Sequence, residues 1–134
     1  MPKTDLPNSK GFNPFAHLIG LNFTKFENGW THCTLDVTDQ LLNPYNVLHG
    51  GVIYSMADTG MGGALFSVLE PGQTCTTVEI KVSYFKSVTS GTLTCESKII
   101  NKGRKIATLE SEITNKKRLV AKAIGTFYIL EIDK

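Results

Sequence analysis

The sequence has little that points beyond an ordinary folded domain. Only three cysteines occur in 134 residues, and they show no CxxC spacing of the kind that binds metals. The formal net charge of +2 is too small to predict nucleic acid as the main partner. The N-terminus lacks the apolar core of a signal peptide, and the most apolar stretch, residues 52–69, is interrupted by Asp58 and several glycines. We therefore expect no membrane span, no disulfide framework and a reducing, cytoplasmic environment.

What is present is typical of one folded domain. Hydrophobic residues make up 41% of the chain and charged residues 19%. We assign residues 1–134 to a single domain, with residues 1–13 as a loose lead-in broken by prolines and a glycine. Cys33, Cys75 and Cys95 lie among apolar or alternating residues, so we expect small buried side chains at all three.

Hydrophobic periodicity predicts the order of the helices and strands. Pro14 opens a short helix that ends at Gly20, and Asn28-Gly29 between two strand-like runs predicts a β-hairpin. An irregular stretch precedes one long helix over residues 51–69, which a proline and a glycine stop. Short turns between the later runs predict consecutive antiparallel strands, at residues 76–84, 91–100, 105–114 and 119–130. The simplest arrangement for this order is an α+β fold in which an antiparallel sheet packs against one long helix.

The first of these four strands shows regular alternation. Its polar side chains alternate with apolar ones, which share the opposite face: Val78, Ile80, Val82 and Tyr84.

The long helix carries one ionisable group, Asp58, among many small residues. Gly51, Ser55, Asp58 and Gly62 recur at spacings of three or four, so they share one face. Each glycine costs a helix about 1 kcal/mol relative to alanine, so several of them indicate a closely packed partner. Free amides at a helix start attract negative charge, and glycine lets a carbonyl approach without meeting a Cβ atom. The Gly51 amide can thus stabilise an oxyanion, while Asp58 can attack a carbonyl or activate a water.

The spacing between Gly51 and Asp58 is too long for both groups to act on one carbonyl. Seven residues span about 10.5 Å along a helix axis, whereas reacting atoms must approach within about 3–3.5 Å. Two copies of the helix, antiparallel across a two-fold axis near Ser55, would bring Asp58 of one beside Gly51 of the other. The sequence therefore predicts a homodimer with a composite site.

Three segments carry a resemblance to a known family. Residues 43–60 read NPYNVLHGGVIYSMADTG, residues 76–88 read TTVEIKVSYFKSV, and residues 101–114 read NKGRKIATLESEIT. The first resembles the signature of the PaaI-like branch of hotdog-fold thioesterases, in which an acid follows the second glycine of HGG by seven positions. The other two are similar to the strands that follow in that family. The resemblance implies a hotdog fold, an antiparallel sheet wrapped around one long helix. It also implies a dimer or a dimer of dimers, and hydrolysis of acyl-CoA without a metal or an organic cofactor.

Residue roles follow from the same resemblance. Asp58 would be the nucleophile or the general base, and the Gly51 amide would bind the oxyanion. His49 would orient the loop or the carbonyl, and Asn43 would position the water or the thioester. His49 and Asn43 fit purely structural roles equally well. A serine or threonine on the following strand would assist Asp58, and Thr77 is the best match to it, with Thr76 next. Gly50 and Thr76 are the further positions implied at the substrate.

The phosphates of CoA need cations at the protein surface. The resemblance implies that these come from the turn Lys102-Gly103-Arg104-Lys105, which as sequence is equally an ordinary polar turn. Lys86 and residues 116–118 are lesser candidates. Phe12, Phe15 and Tyr54 fit either an acyl pocket or the core.

Two other functions share the fold. Hotdog dehydratases acting on hydroxyacyl chains place their histidine in a proline-rich loop unlike NVLHGG. Non-catalytic hotdog domains that bind acyl-CoA lose the acid at the position of Asp58 or gain a DNA-binding extension, and this chain retains the acid. Acyl-CoA hydrolysis is therefore the preferred hypothesis.

Overall fold

The computed structural model of the chain describes residues 11–132, so most of the expected lead-in at residues 1–13 lies outside the described residues. Two helices and six strands follow in the order helix, two strands, long helix, four strands. We label them α1 (Pro14–Ile19), β1 (Leu21–Glu27), β2 (Trp30–Asp36), α2 (Gly50–Phe66), β3 (Gln73–Tyr84), β4 (Thr92–Lys102), β5 (Ile106–Asn115) and β6 (Arg118–Glu131).

The predicted short helix and hairpin are both confirmed. The Asn13 side chain accepts a hydrogen bond from the Ala16 amide at 3.0 Å and caps α1, whose first residue is the proline. Between β1 and β2, Asn28 and Gly29 both have positive φ, at 53° and 80°. That conformation matches the right-handed twist of two strands joined by a two-residue turn.

The predicted long helix is confirmed as α2, although it ends earlier than residue 69. Ser67 follows its last residue and is tied to the β1–β2 turn, because the Gly29 amide donates to Ser67 Oγ at 2.8 Å. One face of α2 is buried against the sheet by apolar and small residues: Val52, Ile53, Met56, Ala57, Gly60, Met61, Ala64 and Leu65. The face that carries Asp58 is only partly covered within one chain.

Buried hydroxyl groups hold the middle of α2 to the sheet. Thr31 Oγ1 donates to the Gly60 carbonyl at 2.7 Å, and Ser97 and Ser111, both fully buried, share a hydrogen bond of 2.7 Å. Ser111 Oγ lies 3.5 Å from the Ala57 carbonyl. These residues are satisfied polar groups in an apolar layer, so they fix where the helix lies along the sheet.

The sheet is antiparallel throughout, in the order β1-β2-β4-β5-β6-β3, with α2 packed on one face. The predicted α+β arrangement is confirmed. One pairing prediction is wrong: β3 does not pair with β4 but with β6 at the sheet edge. Residues 85–91, which join β3 to β4, are no tight hairpin turn. They carry buried Val88, whose carbonyl accepts from the Leu48 amide, and cross to the middle of the sheet.

The predicted alternation in β3 is also broken, by a bulge. The register with β6 shifts between Thr77 and Glu79, so Val78 is an extra residue and is 59% exposed. Ile80 still pairs with Gly125, and Thr77 pairs with buried Phe127. A bulge adds one residue to one strand only, so the residues on either side of it stay paired with the neighbouring strand and face the same way as their partners. Thr77 and Ile80 therefore both point toward α2, which simple alternation from Val78 does not allow.

Candidate active site

The loop before α2 is held by its own side chains. Asn43 Oδ1 accepts hydrogen bonds from the backbone amides of Tyr45 at 2.8 Å and Val47 at 3.3 Å. His49 is the N-cap of α2, because its Nδ1 accepts from the Gly51 amide at 2.8 Å. A neutral imidazole that accepts at Nδ1 carries its proton on Nε2. Both residues thus order the loop, and the Nε2–H of His49 is the remaining donor of the ring.

Gly50 and Gly51 are glycines for packing reasons. A Cβ at Gly51 would lie 2.9 Å from His49 Nδ1, and a Cβ at Gly50 would lie 3.3 Å from the Tyr84 ring. The Tyr84 hydroxyl donates to the Gly50 carbonyl at 2.7 Å. Burial raises the pKa of Tyr84, as does nearby Tyr54, so the phenol keeps the proton that it donates. β3 is thereby connected to the start of α2.

Asp58 lies two turns further along α2, half-buried and facing β3. Thr77 Oγ1 donates to Asp58 Oδ1 at 2.7 Å, a short bond of the kind expected for a charged acceptor. The hydroxyl orients the carboxylate through one of its two oxygens. That arrangement suits a carboxylate that attacks a carbonyl or takes a proton from water.

Asp58 lies in the wall of a cavity of about 510 Å³ that is lined by the residues just before α1 and by β1, α2, β3 and β6. Most of its polar lining comes from α2 and β3, and one further residue precedes α1: Asn13, Asp58, Thr59, Thr74, Cys75, Thr76 and Thr77. Its apolar lining is aromatic: Phe12, Phe23, Phe26, Phe66 and Phe127. A largely apolar cleft with a few convergent polar groups is the usual form of a small-molecule site.

Cys75 departs from the expectation for the three cysteines. Cys33 and Cys95 are fully buried as predicted, whereas Cys75 is half-buried in the cavity wall. Burial raises the pKa of Cys75 to about 11, and the charge of Asp58 adds to this effect. Cys75 is therefore a neutral thiol at pH 7 and a poor nucleophile.

One chain brings together Asp58, Thr76 and Thr77 in one place, and Asn43, His49, Gly50 and Gly51 in another. The two places are separated along α2 by the seven residues between Gly51 and Asp58, about 10.5 Å of helix. A single substrate carbonyl therefore does not meet both the Gly51 amide and the Asp58 carboxylate of the same chain.

Comparison with known families shows which family the chain belongs to. Residues 45–122, more than half of the chain, match the thioesterase superfamily, and that segment contains His49, Gly51, Asp58 and Thr77. The chain belongs to that superfamily. As a thioesterase with a six-stranded antiparallel sheet around one long helix, it has the hotdog fold that the sequence resemblance implies.

The chain is also similar to individual solved structures and to individual relatives. The thioesterase is similar to a conserved protein of Pseudomonas aeruginosa, with a TM-score of 0.85 and 30% identity, over 88% of this chain and 94% of that one. It is similar to a thioesterase of Haemophilus influenzae, with a TM-score of 0.86 and 27% identity, over 91% and 86% of the two chains. It is 26% identical to the acyl-coenzyme A thioesterase PaaI of Escherichia coli over 104 residues, 77% of this chain and 72% of the relative.

The basic residues expected to contact CoA phosphates lie around two other clefts. Lys102, Arg104 and Lys105 line a cleft of about 630 Å³ beside the end of α2, together with Glu70 and Glu131. Gly103 closes the β4–β5 turn by donating its amide to the Ile106 carbonyl at 2.8 Å. Lys86 lies elsewhere, in a cleft of about 240 Å³ that also contains Gly50 and Tyr84. The candidate phosphate contacts are thus divided between the two ends of α2.

Sequence patterns missed most of the cavity lining. Phe23 and Phe26 come from β1, Phe66 from α2 and Phe127 from β6, and no local pattern joins these three elements. The spacing of Gly62 and Phe66 after Asp58, four and eight residues, was the available signal. Of the aromatic candidates, Phe12 lines the cavity, whereas Phe15 and Tyr54 are outside it and partly exposed.

Within residues 11–132, no three His, Cys, Asp or Glu side chains are grouped as metal ligands would be. None of the helices described there has the length and apolar character needed to span a membrane.

Proposed function

We propose that this thioesterase hydrolyses an acyl-CoA to the free acid and CoA, in a site shared by the two subunits of a homodimer. The observation that carries the proposal is the Asp58 carboxylate, oriented by Thr77 in the wall of an aromatic cavity. A relative named as an acyl-CoA thioesterase, PaaI, supports the choice of an acyl-CoA as substrate.

Asp58 begins the reaction in one of two ways. Its free carboxylate oxygen attacks the thioester carbon, giving a mixed anhydride that water then hydrolyses, or it deprotonates a water that attacks. In both routes CoA leaves as the thiol after the sulfur receives a proton. Thr77 holds the carboxylate at the required angle in either case.

The oxyanion is bound at the start of α2. Gly51 N–H is the expected donor, and within one chain it donates to His49 Nδ1. When the imidazole turns away, the amide faces the oxyanion, and one such donor is worth about 2.7–4 kcal/mol in well-studied cases. The Nε2–H of His49 and the amide of Asn43 are the further donors for the carbonyl or the water.

In the proposed dimer, Asp58 of the partner subunit lies beside Gly51 of the first subunit. Helix α2 exposes Gly51 and Tyr54 on the face that also carries half-buried Ser55 and Asp58. Small residues on that face let a second α2 approach in the antiparallel direction. Each dimer then contains two equivalent sites, and two dimers can pack further into a tetramer.

The cations at both ends of α2 are the proposed contacts for CoA phosphates. Lys102, Arg104 and Lys105 surround one cleft and Lys86 another. CoA is part of the substrate, and no metal or organic cofactor enters the proposed chemistry. We propose a cytoplasmic location for the enzyme, where acyl-CoA esters are available to it.

Thiol release tests the activity. The wild-type protein is expected to release free CoA from acyl-CoA esters, whereas Asp58→Asn loses activity by about 10²–10⁴-fold while it still binds the ester. Full hydrolysis by Asp58→Asn would exclude the proposed mechanism. Binding without hydrolysis by the wild-type protein would favour the non-catalytic acyl-CoA-binding function.

Complementation tests the shared site. Asp58→Asn and Gly51→Val chains, with different tags, are co-expressed and the heterodimer is purified. A shared site leaves one intact and one doubly altered site in each heterodimer, so about half of the wild-type activity is expected. If each chain uses its own Gly51 and Asp58, the heterodimer stays as inactive as both parents.

A further inference from the structure

The cavity beside Asp58 has a defined direction along α2. Thr77 Oγ1 bonds Asp58 Oδ1 at 2.7 Å, and Cys75 Sγ lies 4.0 Å from the Gly62 carbonyl oxygen. The step from Thr77 back to Cys75 on β3 therefore runs alongside the step from Asp58 forward to Gly62 on α2. The cavity runs from its polar end at Asp58 toward the C-terminal end of α2.

Aromatic rings close the far end. Phe66 lies eight residues after Asp58 on the same helix face, about 12 Å further along the axis. Its ring centroid is 6.2 Å from that of Phe12 and 6.2 Å from that of Phe26. Phe26 in turn packs edge-on against Phe23, with centroids 5.4 Å apart. These rings form a continuous apolar wall across the cavity.

Gly62 lies midway between Asp58 and that wall. A Cβ at Gly62 would meet only the Phe127 ring, at 3.7 Å, so the missing side chain leaves open space in the cavity. The neighbouring glycine differs, because a Cβ at Gly63 would lie 2.9 Å from the Phe23 ring. Glycine at 63 is thus required by packing, whereas glycine at 62 determines how much of the cavity is free.

We propose, resting on the thioester hydrolysis proposed above, that this cavity holds the acyl group and that Gly62 and the Phe12–Phe66 ring pair determine its length. The carbonyl carbon lies at Asp58, and the chain passes over Gly62 and ends at the rings. The space suits a medium-chain acyl group such as hexanoyl or octanoyl. A palmitoyl chain would have to displace the ring wall.

The test compares kcat/KM for butanoyl-, octanoyl- and palmitoyl-CoA in four proteins. The wild-type enzyme is expected to prefer octanoyl over palmitoyl. Gly62→Leu fills the middle of the cavity, so the ratio of octanoyl to butanoyl activity falls by roughly tenfold or more. Phe12→Ala removes a ring that is 41% exposed, so it opens the wall without emptying the core, and the ratio of palmitoyl to octanoyl activity rises.

Phe15→Ala is the matched control for Phe12→Ala. Phe15 is a neighbouring phenylalanine, 52% exposed and outside the cavity, and its removal is expected to keep the wild-type length profile. If Gly62→Leu fails to fold, Gly62→Ala is used, because its Cβ meets nothing closer than 3.7 Å. The expected change then has the same direction and is smaller.

The outcomes separate this proposal from the proposed activity. Hydrolysis with unchanged length profiles in Gly62→Leu and Phe12→Ala would overturn the assignment of the cavity and leave the activity intact. If the wild-type protein hydrolyses no ester, the same series is measured as binding of S-alkyl-CoA thioethers by calorimetry. The same length order is then expected, and affinity that does not depend on length in any variant would overturn the proposal.

Discussion

At the scale of single residues, one hydroxyl and one carboxylate meet in the wall of the cavity. Asp58 is the only acid in α2, and Thr77 donates to it from β3. The position of Asp58 was predictable, because its spacing from HGG lies within one helix. The orientation of Thr77 was not, because it depends on the bulge at Val78 in a strand that pairs with β6.

Thr77→Val tests what the hydroxyl does. Valine has nearly the same shape and no donor, so the carboxylate loses its partner and its fixed angle. We expect kcat to fall by about tenfold, equivalent to about 1.4 kcal/mol in the barrier, with little change in KM. Thr77→Ser keeps the hydroxyl and is expected to retain most of the activity. Equal activity of the valine and serine variants would show that Thr77 has no part in the reaction.

At the scale of elements, the glycines of α2 serve different surfaces. Gly60 faces the sheet, where a Cβ would lie 2.5 Å from Ser97 Oγ, inside the buried hydroxyl cluster. Gly62 faces the cavity and has room for a methyl group. Sequence spacing showed that the helix was rich in small residues, but only the packing distinguishes the two positions.

Alanine at these two positions should have opposite effects on stability. Gly60→Ala forces Ser97 to move within a fully buried layer, and we expect a loss of about 1–3 kcal/mol in the free energy of unfolding. Gly62→Ala gains helix propensity without a clash, and we expect a gain of up to about 1 kcal/mol. Urea denaturation of both variants measures the difference. Similar stabilities would contradict the packing described for Ser97.

At the scale of the whole molecule, three thiols remain protonated inside the fold. Burial raises the pKa of Cys95 to about 11, although hydrogen bonds from Ser97 and Ser111 lower it in part. Burial also raises the pKa of Cys33 strongly, and that of Cys75 to about 11. In the unfolded chain the same thiols ionise near their ordinary pKa of 9.0. Between these values the folded protein binds more protons than the unfolded one.

Because the folded protein binds more protons than the unfolded one, we expect it to lose stability at alkaline pH. Because the folded-state pKa values are raised, the thiols favour the fold below about pH 9, and the free energy of unfolding falls as the pH rises toward about pH 11. Denaturant titrations in reducing buffer at about pH 8 and about pH 10 measure the fall. In Cys75→Ser, the fall in the free energy of unfolding is expected to be smaller by the contribution of one thiol. A constant free energy over this range would show that the thiols titrate alike in both states.

Local patterns were enough to predict the elements and part of the site. The Asn28-Gly29 turn, the helix that carries Asp58 and the three-residue motif at its start depend on residues close in sequence, whose backbone preferences and periodicity act locally. The family resemblance is carried by the same short segments. These features decided the fold class and the identity of the central carboxylate.

Tertiary structure decided what surrounds that carboxylate. Pairing of β3 with β6 and the bulge at Val78 turned Thr77 toward Asp58, and packing of the residues before α1 against α2 brought Phe12 to Phe66. Each of these contacts joins residues far apart in the chain, so its energy depends on register and packing that no short segment contains. The sequence by itself determined that one acidic residue lies on the long helix, and the assembled fold determined the shape of the cavity beside it.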